Sequence, residues 1–227
     1  MLLVKFLIGI KMKLIKKVKV IIAGLLLASS SLASAGIITV EGIETDALQL
    51  STSFEEFYNF GNGNLFSANT GLEQANSVIG FFAETSSDLA LFLIFGGPGG
   101  AAGFADFDIS ASDGAVTFAD DSAEMPSGSN VIFNYARNRT DGLIFSGISD
   151  ALWSINISFN ALSGINNLIF YSFDDNGDSS IVFETNGVPD SLSISGTPDL
   201  SNVTQVSSPA TVLLMLSAFG LLLFRRK

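Results

Sequence analysis

The stretch that decides the fold class is Trp153-Ser154-Ile155-Asn156-Ile157-Ser158-Phe159. Large apolar residues alternate with small polar ones along it, and successive side chains of a β-strand point to opposite faces of a sheet. The alternation therefore predicts a half-buried strand. The residues on its core face are Trp153, Ile155, Ile157 and Phe159.

Strand-like segments recur on both sides of this one. They are 37–41, 77–84, 89–95, 104–110, 115–119, 131–136, 143–146, 168–173, 180–184 and 191–195. Two of them, 89–95 and 168–173, are almost continuously apolar, which is typical of strands buried on both faces. Turn-forming pairs separate the segments, among them Asp113-Gly114, Asp141-Gly142 and Asn176-Gly177.

Many short strands divided by turns predict an all-β fold class. We expect a single antiparallel β-sandwich at residues 36–198, either jelly-roll-like or immunoglobulin-like. The segment 45–60 is amphipathic in places but rich in Ser, Thr and Phe, so we expect strand and loop there. A domain of about 170 residues is large enough to bury its own core.

The sequence contains no cysteine and no histidine. Zinc sites built from those ligands, thiol nucleophiles and Ser-His-Asp catalysis are therefore excluded. Carboxylate catalysis stays open, since a glycosidase needs only two suitably placed carboxyl groups. No pair of carboxylates stands out in the sequence, and we expect a protein that is not an enzyme.

The N-terminus has the three parts of a secretory signal peptide. A basic segment is followed by an apolar core at 20–28 and by small residues that end with Ala33-Ser34-Ala35. The basic segment contains Lys11, Lys13, Lys16, Lys17 and Lys19. The pattern predicts a signal peptide at 1–35, with cleavage after Ala35 that leaves Gly36 as the first mature residue.

The C-terminus is apolar and then basic. Residues 210–224 carry no charge and are followed by Arg225, Arg226 and Lys227. As a helix this run would be roughly 22 Å long, which is shorter than a typical ~30 Å hydrocarbon core but suits a thinned bilayer. The sequence therefore predicts a transmembrane helix at 210–224, after a polar linker at 199–208.

A proline-containing hexamer, an apolar helix and a basic end follow one another at 206–227. This order resembles the PEP-CTERM sorting signal of Gram-negative bacteria, whose hexamer reads Val-Pro-Glu-Pro-Ser-Thr. Val206, Pro209 and Thr211 match that hexamer, and Ser207 and Ser208 stand where it has its first proline and its glutamate. The resemblance implies processing near Pro209 by a membrane-embedded exosortase, in an organism that makes extracellular polysaccharide.

Removing both ends leaves a strongly acidic domain. All 22 carboxylates lie within 36–208, where Arg137 and Arg139 are the only cations, so the net charge there is about −20. A field of this sign repels nucleic acid and attracts divalent cations. Nucleic acid is therefore not an expected partner.

Asp174, Asn176 and Asp178 have a spacing that brings hard oxygen ligands together on calcium. With Glu184 they form the candidate metal site, and calcium is the candidate cofactor. The alternative interpretation is an ordinary hairpin turn with solvated aspartates. A second acidic group admits the same two interpretations. It consists of Asp120, Asp121 and Glu124.

Together these features predict an exported protein of the cell surface or extracellular matrix, associated with biofilm and exopolysaccharide, with a non-catalytic structural or binding role. We expect it to reside first in the cell-envelope membrane, where the exosortase acts on it, and then at the surface or in the matrix. Two alternatives stay open: a calcium-dependent carbohydrate-binding or adhesion module, and a carboxylate-based glycan hydrolase.

Overall fold

The computed structural model describes residues 36–59, 68–121, 124–126, 128–148 and 152–197. In these ranges the chain forms thirteen β-strands and one short α-helix, so the all-β prediction is confirmed. The elements are β1 (Ile37–Val40), β2 (Ile43–Thr45), β3 (Leu48–Gln49), α1 (Phe54–Tyr58), β4 (Ser77–Glu84), β5 (Leu89–Gly96), β6 (Gly103–Ala111), β7 (Ala115–Ala119), β8 (Asn130–Tyr135), β9 (Thr140–Ser146), β10 (Trp153–Ser163), β11 (Asn167–Phe173), β12 (Ser179–Asn186) and β13 (Ser191–Thr197).

The strands form two sheets that pack face to face. Sheet A has the strand order β2-β1-β13-β10-β6-β8. Sheet B has the order β12-β11-β4-β5-β9-β7, and β3 also pairs with β4. Apolar side chains from both sheets share one core, so the architecture is sandwich-like.

The prediction of an antiparallel sandwich is wrong at β4, which pairs in parallel with both β11 and β3. The chain passes from β10 of sheet A to β11 of sheet B through a short link, in which the Asn166 N–H donates to the Asn76 carbonyl at 2.7 Å. This hydrogen bond sets the starts of β4 and β11 side by side, with Asn167 opposite Ser77. The two strands therefore run in the same direction.

Strand β10 confirms the alternation that the sequence predicts. Ile155 and Ile157 are buried between the sheets, whereas Ser154 and Asn156 face solvent. Aromatic rings from the two sheets meet in the same core, where Phe95 and Phe107 stack with 5.0 Å between their centroids. Full burial of one such side chain contributes roughly 1.5–3 kcal/mol to stability.

Sheet B is covered on its outer face as well. Helix α1 packs Phe54 and Tyr58 against Phe92 of β5. Strands β4, β5, β9 and β11 therefore bury both of their faces. In β4, β5 and β11 the sequence is almost continuously apolar for this reason. The predictions of two-sided burial for 89–95 and 168–173 are confirmed.

The expectation of strand and loop at 45–60 is wrong where α1 forms. Ser53 begins the helix by accepting a hydrogen bond from the Glu56 N–H at 3.1 Å, and Asn59 ends it in the left-handed conformation with φ 58°. The first and last residues of the helix are large and apolar, and they lie on one face because they are four positions apart. Packing of that face on sheet B stabilises a helix too short to form alone.

The predicted signal peptide at 1–35, the linker at 199–208 and the sorting signal at 206–227, with its helix at 210–224, lie outside the residues that the structure describes. Within the described residues, no helix has the length and apolar character to cross a membrane. The assignments at both termini therefore stay predictions from the sequence.

Candidate functional site

Three acidic side chains meet at the β7 edge of sheet B. One carboxylate oxygen from each of Asp120, Glu124 and Asp141 lies within 4.8 Å of the other two. Asp120 directly follows β7 and Asp141 belongs to β9, and these two side chains are only 7% and 4% exposed. We call the three residues the carboxylate cluster.

Backbone contacts between β7 and β9 position the cluster. The Asp120 N–H donates to the Gly142 carbonyl at 3.3 Å, and the Gly142 N–H donates to Asp141 Oδ1 at 3.1 Å. A Cβ on Gly142 would lie 2.7 Å from the Tyr58 hydroxyl, so the glycine gives that ring room to approach. The prediction of a turn at Asp141-Gly142 is wrong, because both residues lie inside β9, where the glycine is needed for close packing.

The acidity of the cluster is strongly perturbed. Burial raises the pKa of Asp141 to about 10, and its hydrogen bond with Asp120 and the nearby carboxylate charges add to the effect. Burial also raises the pKa of Glu124, although a hydrogen bond from Asp141 acts in the opposite direction. Mutual repulsion disfavours three ionised carboxylates at a site with so little access to solvent. At neutral pH the cluster therefore holds a proton on Asp141.

Glu124 Oε2 is buried and has no hydrogen-bond partner among the described residues. A buried charged oxygen is costly unless a proton or a cation compensates it. Asp120, Glu124 and Asp141 are thus the described residues that could hold a divalent cation such as calcium, which prefers carboxylate oxygens. Catalysis on a polymer is not supported here, because Asp120 and Asp141 are almost completely shielded from solvent.

Asp174, Asn176 and Asp178 of the predicted calcium site lie at the turn between β11 and β12. Asp174 Oδ1 accepts hydrogen bonds from the backbone N–H groups of Asp178 and Asn176, both at 2.9 Å. These bonds lower the pKa of the fully exposed Asp174 carboxyl. The hairpin interpretation accounts for this geometry, and calcium binding at the turn stays a prediction.

Glu184, the fourth residue of that predicted site, is not brought to the turn. The register of β12 places Glu184 opposite Ile169, whereas the turn begins after Phe173, which is opposite Ser179. Ile169 and Phe173 are four positions apart, which is about 13 Å along a strand. The prediction that Glu184 belongs to this site is therefore wrong, because its carboxylate lies too far along the hairpin to share an ion with Asp174.

The second acidic group of the sequence comes together in part. Asp120 and Glu124 do converge, but their partner is Asp141, whereas Asp121 is exposed. Sequence reasoning missed Asp141 because an Asp-Gly pair is a common turn signal. One feature of the sequence could have identified Asp141 as buried. It stands just before the apolar run Leu143-Ile144-Phe145, which favours a buried strand over a turn.

The outer face of sheet A is polar and largely exposed, and we call it the open face. Most of its side chains are short hydroxyls, amides and carboxylates, with no Lys or Arg among them. These polar residues are Thr39, Ser191, Ser193, Ser195, Ser154, Asn156, Ser158, Asn160, Asp106, Asp108, Ser110, Asn130 and Asn134. The face therefore offers many hydrogen-bonding groups to solvent.

A bulge in β10 organises the centre of the open face. Pairing with β6 shifts register between Phe159 and Ala161, and the Asn160 side chain between them is exposed on this face. The Asn160 amide donates to Asp106 Oδ1 at 3.1 Å and to Asp108 Oδ2 at 2.9 Å. Asn130 donates a further hydrogen bond to Asp106 Oδ1 at 2.8 Å. The two carboxylates are consequently held in place before any ligand arrives.

Two apolar side chains border this polar network. Ile132 lies opposite Asp106 in the neighbouring strand β8 and is 44% exposed. Phe104 lies two residues before Asp106 in β6 and is half-buried. The open face thus combines hydrogen-bonding groups with a small apolar surface.

Neither protein-family models nor curated proteins gave a match to this chain. The likeness of its C-terminal residues to a sorting signal accordingly stays a prediction from the sequence. Any function assigned to the domain has to come from the chemistry of its own residues.

Proposed function

We propose that the chain is an exported protein of the cell surface or extracellular matrix whose domain has a non-catalytic role in binding extracellular polysaccharide. In this proposal a signal peptide at 1–35 directs export, and the C-terminal helix at 210–224 holds the chain in the cell-envelope membrane until an exosortase processes it near Pro209. We assign the sandwich to the jelly-roll-like or immunoglobulin-like architectures. Many cell-surface domains are sandwiches of this kind.

The open face is the observation that carries the binding role. The central strands of sheet B, β4, β5, β9 and β11, have both faces buried, whereas sheet A presents a broad face of short polar side chains to solvent. Long flexible side chains lose conformational entropy when a ligand orders them, and short ones lose little. A face of Ser, Thr, Asn and Asp can therefore bind an extended ligand at a low entropic cost.

The chemistry of the open face favours a neutral polysaccharide. Hydroxyl groups of a sugar can exchange hydrogen bonds with the amides and carboxylates around Asn160, Asp106 and Asp108. The apolar side of a sugar ring can pack on Phe104 and Ile132. An anionic polysaccharide is disfavoured, because the domain carries a net charge of about −20 and the open face has no cation.

The binding role is tested by measuring affinity for a soluble neutral glucan and for anionic alginate, using the mature protein. We expect the glucan to bind and the alginate not to bind. The double variant N160A/N130A should weaken glucan binding by about tenfold or more, since each amide contributes roughly 1 kcal/mol through hydrogen bonding. The matched control is N186A, an exposed asparagine at the end of β12 in the other sheet. Equal affinity in all three proteins contradicts the proposal.

Export and sorting are tested on the protein that cells release. Mass spectrometry should find Gly36 at its N-terminus and a C-terminus near Pro209. A mature protein that still ends in Lys227 refutes sorting by cleavage.

The two alternative functions give different results in the same preparation. A calcium-dependent adhesion module loses its glycan binding when a chelator is added. A glycan hydrolase releases new reducing ends from the glucan during prolonged incubation. We expect neither result.

A further inference from the structure

Hydrogen bonds at the centre of the open face run in one direction, towards two carboxylates. Asn160 donates one amide hydrogen to Asp106 Oδ1 at 3.1 Å and the other to Asp108 Oδ2 at 2.9 Å. Asn130 donates to Asp106 Oδ1 at 2.8 Å. The Ser129 hydroxyl donates to Asp108 Oδ1 at 3.2 Å. Four of the five hydrogens that these three donor side chains carry are thus used inside the network.

The acceptors of the same network are used only in part. An ionised carboxylate has about four lone-pair sites on its two oxygens and donates nothing. Asp106 and Asp108 each accept two hydrogen bonds within the network, which leaves about half of their acceptor sites for a ligand. The side-chain oxygen of the exposed Asn160 is a further acceptor. The centre of the open face therefore offers a ligand mainly acceptors.

Apolar side chains lie on both sides of Asp106. The strand register places Asp106 opposite Ile132 of β8 and opposite Ala161 of β10, so the three residues form one row across the sheet. Directly opposite side chains of antiparallel strands have Cβ atoms about 4.5–5.5 Å apart. Ile132 and Ala161 are both exposed. A sugar ring that packs on either of them has its hydroxyl groups beside the Asp106 carboxylate.

We infer that the open face binds polysaccharide through sugar hydroxyl groups that donate to Asp106 and Asp108, and that it selects unsubstituted chains for this reason. The inference rests on the polysaccharide binding of the proposed function and names the class of polysaccharide that is bound. A free hydroxyl group both donates and accepts, whereas an O-methyl or O-acetyl group has lost the hydrogen and can only accept.

A substituted sugar places acceptors against acceptors at this network. Its oxygens lose hydrogen bonds to water on binding and gain none from Asp106 or Asp108, which costs free energy. Its ring can still pack on Ile132. Substituted chains are therefore bound weakly, and the discrimination arises at the two carboxylates.

The test compares a soluble neutral glucan with the same glucan after methylation of part of its hydroxyl groups, using the mature protein. Hydrogen bonds to charged groups are stronger than those between neutral groups. We expect the methylated glucan to bind at least about tenfold more weakly, which corresponds to the loss of one such hydrogen bond. Isothermal titration calorimetry measures both affinities.

The variant D106N/D108N separates the loss of hydrogen bonds from a steric clash with the methyl groups. An asparagine amide has nearly the shape of the carboxylate, but it can donate hydrogen bonds to ether oxygens. We expect the variant to bind the unmodified glucan about tenfold more weakly and to lose the preference over the methylated glucan. A preference that is unchanged in this variant shows exclusion by bulk and overturns the inference.

Two control variants complete the test. E55Q/E56Q removes the same charge from exposed positions of helix α1, which covers sheet B and not the open face, and should keep the preference. I132A removes an apolar contact and leaves the network intact, so it should weaken binding of both glucans by a similar factor. A preference lost in E55Q/E56Q assigns the effect to the general field of an acidic protein, and one lost in I132A assigns it to ring packing. Either result overturns the inference.

The same measurements distinguish this inference from failure of the binding role. Equal affinity of the parent protein for the two glucans overturns the inference and leaves polysaccharide binding in place. If the parent protein binds neither glucan, the binding role and the inference are both refuted.

Discussion

Tyr58 of helix α1 donates a hydrogen bond of 3.1 Å to Asp120 Oδ2. The same tyrosine packs on Phe92 of β5, so one side chain contributes both to the apolar cover of sheet B and to the carboxylate cluster. Burial, together with the charge of Asp120, raises the pKa of Tyr58 well above its ordinary value. The hydroxyl therefore stays protonated and donates its hydrogen bond throughout the physiological pH range.

Replacing Tyr58 with phenylalanine should destabilise the domain by about 1–3 kcal/mol. The ring and its packing are kept, but a buried acceptor on Asp120 loses its donor, and unsatisfied buried groups cost free energy of that size. Urea denaturation of the two proteins measures the difference. S53A serves as a control, since it weakens the start of α1 but keeps the Tyr58 hydroxyl. A Y58F variant as stable as the parent protein contradicts this role.

The raised pKa of Asp141 should make the domain less stable as the pH rises. In the unfolded chain this carboxyl titrates near its ordinary 3.8, whereas in the folded chain its pKa is about 10. The folded protein therefore keeps a proton that the unfolded chain has lost, and stability falls between those two values. The raised pKa values of Glu124, Tyr58 and Tyr135 act in the same direction.

Asp141→Asn should remove much of this pH dependence. The amide oxygen can still accept from the Gly142 N–H, and the amide hydrogens can donate to the neighbouring carboxylates of the cluster. We expect a gain of at least about 1 kcal/mol near pH 8 and a flatter profile of melting temperature against pH. A variant that loses stability equally at acid and alkaline pH argues that Asp141 is ionised in the native protein.

We expect calcium to have little effect through the carboxylate cluster at neutral pH, because the proton on Asp141 makes one of its three carboxyl groups a poor ligand for the ion. The measurement is the melting temperature in millimolar calcium and in chelator, for the parent protein and for D141N. An ion bound at 100 times its dissociation constant adds about 2.7 kcal/mol. A calcium-dependent rise that disappears in D141N means that the cluster binds the ion. A rise that persists there places the ion outside the cluster.

Gly196→Ala should destabilise the domain by about 1–3 kcal/mol through overpacking. A Cβ at this position would lie 2.2 Å from Trp153 Cε2, so the indole must move out of the inter-sheet core. Gly128→Ala is the matched control, because a Cβ there meets nothing within 4 Å. Chemical denaturation measures the free energy of unfolding of both variants and of the parent protein. Similar stability of both variants contradicts the close contact between Gly196 and Trp153.

The strands could be predicted from the sequence because the patterns that indicate them extend over only a few neighbouring residues. The alternation in β10 and the continuous apolar run of β5 show in the sequence which faces are buried. Helix α1 was missed because it spans only Phe54–Tyr58 and depends on packing against sheet B. The parallel pairing of β4 with β11 was missed because it joins segments distant in sequence, where periodicity carries no information on direction.

The sequence by itself determined the strand-rich domain, its acidic charge and the chemistries it lacks, because these follow from composition and from side-chain periods of a few residues. Only the tertiary structure decided that Asp141 meets Asp120 and Glu124 and that helix α1 covers sheet B. Both depend on contacts between segments that are distant in sequence. Such long-range contacts also decide whether a carboxylate is solvated at a turn or buried with a proton.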